Sequence, residues 1–469
     1  MKKTKIICTI GPSTNTKEKI KALINAGMDC ARFNFSHGTH ESQKELIDLV
    51  KCARRELNKS IAILLDTKGP EIRVRLFEKG SVELKSGQKF VLDQDENTLG
   101  NEQRISITYP ELYKHIKKGT HILVDDGAIE LKVTDIVGNN IVTTVLNGGK
   151  LSNRKSINIP NVPLPMTYLS EQDKKDIIFG IKNDVDFIAA SFVRSAQDVI
   201  DLREFLNSHG GQSIEIISKI ENTQGVKNFK EILKYTDGVM VARGDLGVEI
   251  PFREIPAIQK NLIELCNEKG KIVIVATQML ESMVNNPRPT RAEVSDVANA
   301  IFDGATGIML SGDSANGKYP IQAVKTMANI AIAAEKNYRQ FHYQGHLDLA
   351  KDFTQTMCFA AYQASEHIKA DAIVVLTETG HTAKRIAAYK PQSKVISVTV
   401  KEKGHRQLAL YYDVVSIPGK DLDDFAALIE MAKEYVLKTG QVKKGDTVVL
   451  VSGSFPQCGY TDTVRIYKA

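Results

Sequence analysis

The sequence predicts an α/β protein built on a (β/α)8 barrel, with an inserted β unit standing over the barrel mouth and a further α/β unit at the C-terminal end. Three observations predict it. Short apolar, β-branched runs recur eight times with helical periodicity between them. That rhythm breaks once, between Pro70 and about Pro163, where helical periodicity disappears. Polar residues suited to chemistry gather where the apolar runs end, which in parallel sheets and barrels is where sites are built. A doubly wound open sheet is the alternative, and eight units favour closure.

In order along the chain, residues 5–10 read as a strand stopped by Gly11-Pro12, 17–26 as a helix, 31–35 as a second strand and 41–57 as a helix. A third strand, 61–65, ends in Asp66-Thr67-Lys68-Gly69-Pro70. The interrupted stretch holds short β-like pieces at 82–84, 104–107, 121–124 and 141–145 between Gly and Asn turns. It reads as a mostly antiparallel, β-barrel-like insert placed to act as a lid. A helix at 171–181 restarts the rhythm, and strands follow at 187–190, 214–218, 238–241, 272–275 and 307–310. A long helical stretch, 321–338, leads out, and Gly345 marks a boundary. Beyond it come strands at 372–376, 395–398, 414–416, 447–451 and 464–467, with helices at 353–367, 382–389 and 423–439. The expected division is a barrel of residues 1–69 and 164–345, a lid of 70–163 and a C-terminal unit of 346–469.

Composition narrows the function. A chain of 469 residues is too long for one typical core. Its 62 basic and 56 acidic residues are interspersed, giving a net charge of +6, which suits anionic small molecules and is no nucleic-acid footprint. The six cysteines form no CxxC pair, and Cys8 and Cys30 fall in strand-like runs, where buried thiols are expected. The apolar run near the start is too short for a signal peptide and no stretch reaches membrane-spanning length, so a reduced, cytoplasmic protein is expected.

The stretch from Ile214 to Gly247 carries the strongest chemical signal. One strand leads to Lys219 and Glu221, and the next to Gly244, Asp245 and Gly247. An amine and two acids at neighbouring strand ends can hold a hard divalent cation and an anionic substrate, or can be a salt-bridged strand end and an ordinary turn. Arg32, Asn34, Ser36 and His37 follow the second strand, and Asp66 and Thr67 the third. Asn34, Ser36, Asp66 and Thr67 can form an oxygen cage for a monovalent cation, or a hydrogen-bond network around a buried acid. Arg32 and Arg73 suit a phosphate or a surface ion pair. Arg154-Lys155 can reach a nucleotide phosphate or stay solvated, and Thr277 can serve substrate or cap a helix. The turn Thr377-Glu378-Thr379-Gly380-His381-Thr382 resembles a phosphate cradle or a capped helix start. There is no GK[ST] P-loop and no GxGxxG after a strand.

These residues stand in segments whose order resembles the pyruvate kinase family from end to end: KIICTIGPS, ARFNFSHG, LLDTKGPEIR, ISKIENTQG, VMVARGDLGVE, VATQMLESM and PRPTRAEVSDVANAIFDG. The resemblance implies a TIM barrel with a lid and a C-terminal regulatory unit. It implies transfer of the phosphoryl group of phosphoenolpyruvate to ADP, giving pyruvate and ATP. It implies catalytic roles for Lys219, Arg32 and Thr277, and substrate binding by Arg32, Lys219, Gly244, Asp245, Thr277 and Arg73. Glu221 and Asp245 would hold Mg²⁺ or Mn²⁺, while Asn34, Ser36, Asp66 and Thr67 would hold K⁺. Asn34, His37, Arg73 and Lys155 would contact nucleotide, and a second divalent ion would arrive with it. Thr377, Thr379, Gly380, His381 and Thr382 would grip the phosphate of an effector. Glu71 matches the members that depend on K⁺. A homotetramer is implied, with no nucleic-acid or membrane partner.

The chain departs from the family's usual SGETA at Ser311-Gly312-Asp313-Ser314-Ala315, where the acid is one methylene shorter. The segment SGSFPQCGYTDTVRI also differs from the usual effector loop, and an additional C-terminal unit carried by some bacterial members is not expected. The rivals are a barrel lyase acting on a 2-oxo acid, which needs no lid over a nucleotide, and a metabolite sensor, which needs no Lys219, Glu221 and Asp245 at one mouth.

Overall fold

The computed structural model describes residues 2–336, 347, 349–420, 424–453 and 459–469. Tyr338, Gly345, Asp423 and Cys458, which the sequence reading used, lie outside the described residues. Eight parallel strands close a barrel: β1 (Lys5–Thr9), β2 (Cys30–Asn34), β3 (Ala62–Asp66), β4 (Phe187–Ala190), β5 (Glu215–Ile220), β6 (Gly238–Ala242), β7 (Ile272–Ala276) and β8 (Gly307–Leu310). Closure is made by β8 pairing back on β1, Lys5 opposite Gly307. The strands are largely apolar because both faces are buried, and ionisable residues such as Lys5, Asp66 and Lys219 fall at or beside the strand ends, with Arg32 inside β2. Ile7, Leu64, Phe187, Ile217, Met240, Ile274 and Met309 fill the lumen. Ile6, Ile63, Ile216, Val239 and Val273 face outward into the layer packed by the helices.

The helices begin where the sequence supplies caps. Thr16 accepts from the Lys19 amide at the start of Lys17–Ala26, and Ser170 and Asp173 form a reciprocal box at the start of Glu171–Lys182. The boundary that matters most for function differs from expectation at β5. Pairing with β6 continues through Lys219 opposite Met240 and Ile220 opposite Val241, so Lys219 belongs to the strand. Its polar side chain broke the apolar run in the sequence, yet alternation carries it inward at the lumen's rim.

Between β3 and β4 the chain builds a seven-stranded sheet and a two-stranded one over a separate apolar core that includes Phe90, Leu92, Leu131 and Ile141. Its pairs are antiparallel except Lys89–Asp93 with Arg104–Ser106. Lys89–Asp93 and Ile129–Val137 escaped the sequence reading. In Ile129–Val137 charged and apolar residues alternate, one face exposed, so no apolar run announces it.

The C-terminal unit is a five-stranded sheet ordered Val414–Pro418, Lys394–Thr399, Ala372–Thr377, Thr447–Ser452 and Thr463–Lys468, with only the last pairing antiparallel. It seals the amino-terminal end of the barrel. Ala409 and Leu410, on the 3-10 turn Leu408–Leu410, join the apolar cluster of the lumen. Around them Lys5 Nζ donates to the Val414 carbonyl at 2.9 Å, and Arg406 Nε to Asp186 Oδ1 at 2.8 Å. One end of the barrel is thereby floored, and the insert stands at the other. Among the described residues no helix is long and apolar enough to cross a membrane.

Truncating Leu410 to Ala opens a cavity in that floor. The expected cost is about 2–5 kcal/mol of stability, read as a lower midpoint in urea unfolding followed by intrinsic tyrosine fluorescence.

Candidate active site

The site is organised around Lys219. Its ammonium donates to Asp66 Oδ1 at 3.0 Å and to Ser191 Oγ at 2.7 Å, and pairs with Glu221 Oε1 at 2.9 Å. Burial disfavours this charge, but Asp66 and Glu221 outweigh burial and hold the ammonium well above the ordinary lysine range. Arg32, from β2, brings Nε to 2.6 Å from Asp66 Oδ2, and its Nη1 donates to Thr9 Oγ1 at 2.8 Å. Burial alone would raise the Asp66 pKa; Arg32 and then Lys219 bring it below the usual carboxylate value. Five successive strands or their ends, β1 to β5, thus meet at one buried cluster of two cations and two carboxylates.

Glu221 follows β5. Its Oε2 accepts from the Phe192 amide at 2.6 Å, an amide aimed by a left-handed backbone at Phe192 (φ 54°). Burial pushes the Glu221 carboxyl up, Lys219 pulls against it, and the negative charge of Asp245 adds to the rise. Asp245 sits in the first turn of the short helix Arg243–Glu249 that opens directly from β6. Among the described residues no three His, Cys, Asp or Glu side chains group as a metal cluster. Two carboxylates fit a hard cation such as Mg²⁺, which leaves most of its coordination to substrate and water.

The β6 and β7 ends are tied together. Thr277 Oγ1 accepts from the Gly244 amide at 2.7 Å, and Arg243 reaches the Thr277 carbonyl at 2.7 Å and Asp296 Oδ1 at 2.7 Å. The hydroxyl therefore caps a helix, but that of the neighbouring strand and not its own. Thr277 has φ 69°, a left-handed conformation that costs a β-branched residue about 1–3 kcal/mol. The Arg243 and Gly244 contacts hold it there.

The four residues expected around a monovalent ion lie at the neighbouring ends of β2 and β3. Asn34 Oδ1 accepts from the Ser36 amide at 3.0 Å, and Thr67 Oγ1 from the Ser191 amide at 3.1 Å. His37 is exposed on the loop after β2. Arg73 pairs with Glu71, Nε to Oε2 at 2.8 Å, and donates to the Arg154 carbonyl at 2.6 Å. Lys155 pairs with Asp125 inside the insert at 2.8 Å. Of the C-terminal turn, Thr379 and His381 are exposed, Gly380 is left-handed (φ 88°), and the buried Thr382 hydroxyl is 2.8 Å from Thr461 Oγ1.

Ser191, Thr9 and the Phe192 amide carry the cluster and were given no role in the sequence reading. The one signal available was Ser191 as a polar residue closing an apolar strand. At the end of β8, Asp313 is buried and accepts from the Ser314 amide at 3.1 Å. Burial, then the charge of Glu281, push its carboxyl up to about 7, so the shorter acid is partly protonated near neutrality.

A barrel with a charged lysine and paired acids at its carboxyl-terminal rim, beneath an inserted β unit, defines an enzyme acting on small anions. The family description "Pyruvate kinase, barrel domain" matches residues 1–324, and "Pyruvate kinase, alpha/beta domain" matches residues 355–467. The chain is 47% identical to the pyruvate kinase of Clostridium perfringens over 477 residues, covering 100% of both chains. It is 47% identical to that of Clostridium acetobutylicum, over 97% of this chain and 96% of the other. With that of Bacillus licheniformis it shares 46% identity over 100% of this chain and 80% of the other. The chain belongs to the pyruvate kinase family.

An acid such as Asp313, whose pKa rises on folding, keeps its proton in the native state after the unfolded chain has lost it. Its stabilisation is full below about 4 and is lost as pH rises through about 7. Asp313→Asn should flatten this slope. The melting temperature of the variant relative to the natural chain should therefore rise between pH 5 and pH 8, measured by differential scanning fluorimetry.

Proposed function

We propose that the Lys219 cluster is the centre at which the phosphoryl group of phosphoenolpyruvate passes to ADP, giving pyruvate and ATP. The observation that carries this reading is the fixed ammonium of Lys219, buried beside Asp66, Ser191 and Glu221 with Arg32 held against the same aspartate. Phosphoryl transfer asks for positioning and charge neutralisation more than covalent help. Lys219 stabilises charge on the transferring group and on the enolate it leaves. Its partners hold it protonated, so it is not the final proton donor. Arg32 grips the phosphate. Thr277 lies on the face where the enolate takes its proton, directly or through water. The substrate carboxylate is received by backbone at the start of Arg243–Glu249; the Gly244 amide is already given to Thr277, which leaves that task to the groups around Asp245.

Glu221 and Asp245 would hold the divalent ion, Mg²⁺ or Mn²⁺, and Asn34, Ser36, Asp66 and Thr67 would hold K⁺. When bound, these cations supply positive charge opposite the phosphoryl and enolate oxygens. Asn34, His37, Arg73 and Lys155 contact the nucleotide in this reading, with a second divalent ion carried on it. The insert, residues 70–163 in the proposed division, shuts over the mouth and excludes water that would compete with ADP. The barrel then takes 1–69 and 164–345, and 346–469 form the regulatory unit. There Thr377, Thr379, Gly380, His381 and Thr382 would bind a phosphorylated effector. Half-buried Phe302 and Ile330 line an apolar groove with Val294 between the helices Arg291–Phe302 and Pro320–Lys336. In this proposal that groove is a contact surface of the homotetramer that the family resemblance implies. The enzyme is cytoplasmic in this proposal.

Lys219→Met should lower turnover about 10²–10³-fold or more in a lactate dehydrogenase-coupled assay while phosphoenolpyruvate still binds by calorimetry. Undiminished turnover overturns the role given to Lys219. Replacing K⁺ by tetramethylammonium should collapse steady-state activity, and full activity there overturns the monovalent site.

A further inference from the structure

Glu215 is a largely covered acid that the proposed chemistry does not use. It is the first residue of β5, with its side chain 12% exposed. It alternates inward with Ile217 and Lys219, at the opposite end of the strand from the cluster. Four residues at about 3.3 Å each put roughly 13 Å between Glu215 and Lys219. Its partners come from the C-terminal unit. Lys384, on the helix His381–Ala387, pairs with Glu215 Oε1, and the Tyr411 hydroxyl donates to Oε2 at 2.9 Å. The Lys384 ammonium also lies 5.4 Å over the Tyr411 ring and 3.2 Å from Gln407 Oε1. Gln407 Nε2 in turn donates to the carbonyl of Ser213 at 2.7 Å, just before the strand. The root of β5 is therefore gripped at Ser213 and Glu215 by three side chains of another unit. Burial raises the Glu215 pKa, and Lys384 opposes that rise by favouring the ionised form.

We propose that Lys384, through Glu215, is a positioning residue for the active site: it fixes the height of β5 and so the placement of Lys219 and Glu221 at the strand's other end. This rests on the roles proposed for those two residues. A strand in a closed barrel cannot shift at its root without moving its tip, because both edges are bonded to β4 and β6. A misplacement of an ångström at a phosphoryl-transfer site is expensive, since positioning supplies much of the catalysis. Other contacts of the floor lead elsewhere. Lys390 donates to Asn267 Oδ1 at 2.8 Å and to the Gly304 carbonyl at 2.6 Å, before β7 and β8. Lys390 is therefore the control for loosening of the interface as such.

The test compares full-length Lys384→Met, Lys384→Arg, Glu215→Gln and Lys390→Met with the natural chain. Three quantities are read: Mn²⁺ affinity by electron paramagnetic resonance without substrate, kcat and KM for phosphoenolpyruvate, and the melting temperature. Lys384→Met and Glu215→Gln should weaken Mn²⁺ binding and lower kcat about tenfold. Lys390→Met should do neither at a comparable loss of melting temperature, and Lys384→Arg should recover most of both. Equal effects from Lys390→Met and Lys384→Met, or unchanged Mn²⁺ affinity and kcat in Lys384→Met, overturn the proposal. If Lys384→Met does not fold, unchanged values in Glu215→Gln overturn it alone. Failure of the underlying reading is separate: it shows as Lys219→Met retaining turnover.

Discussion

A buried lysine cannot stay charged unless acids are brought to it, and the rest of this structure follows from that. Lys219 and Arg32 are cations with little contact to solvent, and Asp66 and Glu221 are almost wholly buried. Isolated, each would be expensive to bury; together they compensate one another. No single segment can supply the set. Arg32 comes from β2, Asp66 from β3, Ser191 from the end of β4, and Lys219 and Glu221 from β5 and its end. Only a closed barrel brings these together in one place, with walls that keep water from screening the charges. The same exclusion strengthens the field of the cluster, because a fixed charge acts more strongly in a low-dielectric mouth than in water.

The rim stores strain beside that cluster. Phe192 and Thr277 both adopt left-handed backbone conformations, and each aims a group into the site: the Phe192 amide toward Glu221, the Thr277 hydroxyl toward Gly244. Such conformations persist when surroundings over-determine them. At Thr277 the surroundings are visible in the Arg243 guanidinium, which bonds to the Thr277 carbonyl and is itself fixed by Asp296. The acceptor of the helix start and the strained turn are therefore one unit, and the charge of Asp245 sits on its first helical turn.

The barrel was legible in the sequence because β-branched runs buried on both faces leave a continuous apolar signal, and Lys219, Glu221 and Asp245 were legible because ionisable residues interrupt or end those runs. The insert was legible as a change of rhythm but not strand by strand. Strands with one wet face, such as Ile129–Val137, alternate with charged residues and resemble loops. Ser191 and Thr9 were not legible as partners of Lys219 and Arg32, since small hydroxyl residues at strand ends are common and their roles depend on contacts 28 and 23 residues away. The grip of Lys384 on Glu215 spans 169 residues and leaves no local trace at all. Amide groups such as that of Phe192 carry no side-chain signature, so a backbone ligand of Glu221 is invisible before folding.

β5 runs between the two polar ends of the barrel. Its inward positions read Glu215, Ile217, Lys219, and Glu221 follows directly, so a strand buried on both faces carries ionisable groups at both ends. Each end is tolerable only because another element meets it. At the rim, β2, β3 and β4 supply Arg32, Asp66 and Ser191. At the root, the C-terminal unit supplies Lys384 and Tyr411. The acid at Glu215 makes the root of β5 dependent on a cation from a separate unit. Two units whose contact was only apolar could slide on one another, whereas an ion pair joined to a tyrosine hydroxyl admits one register.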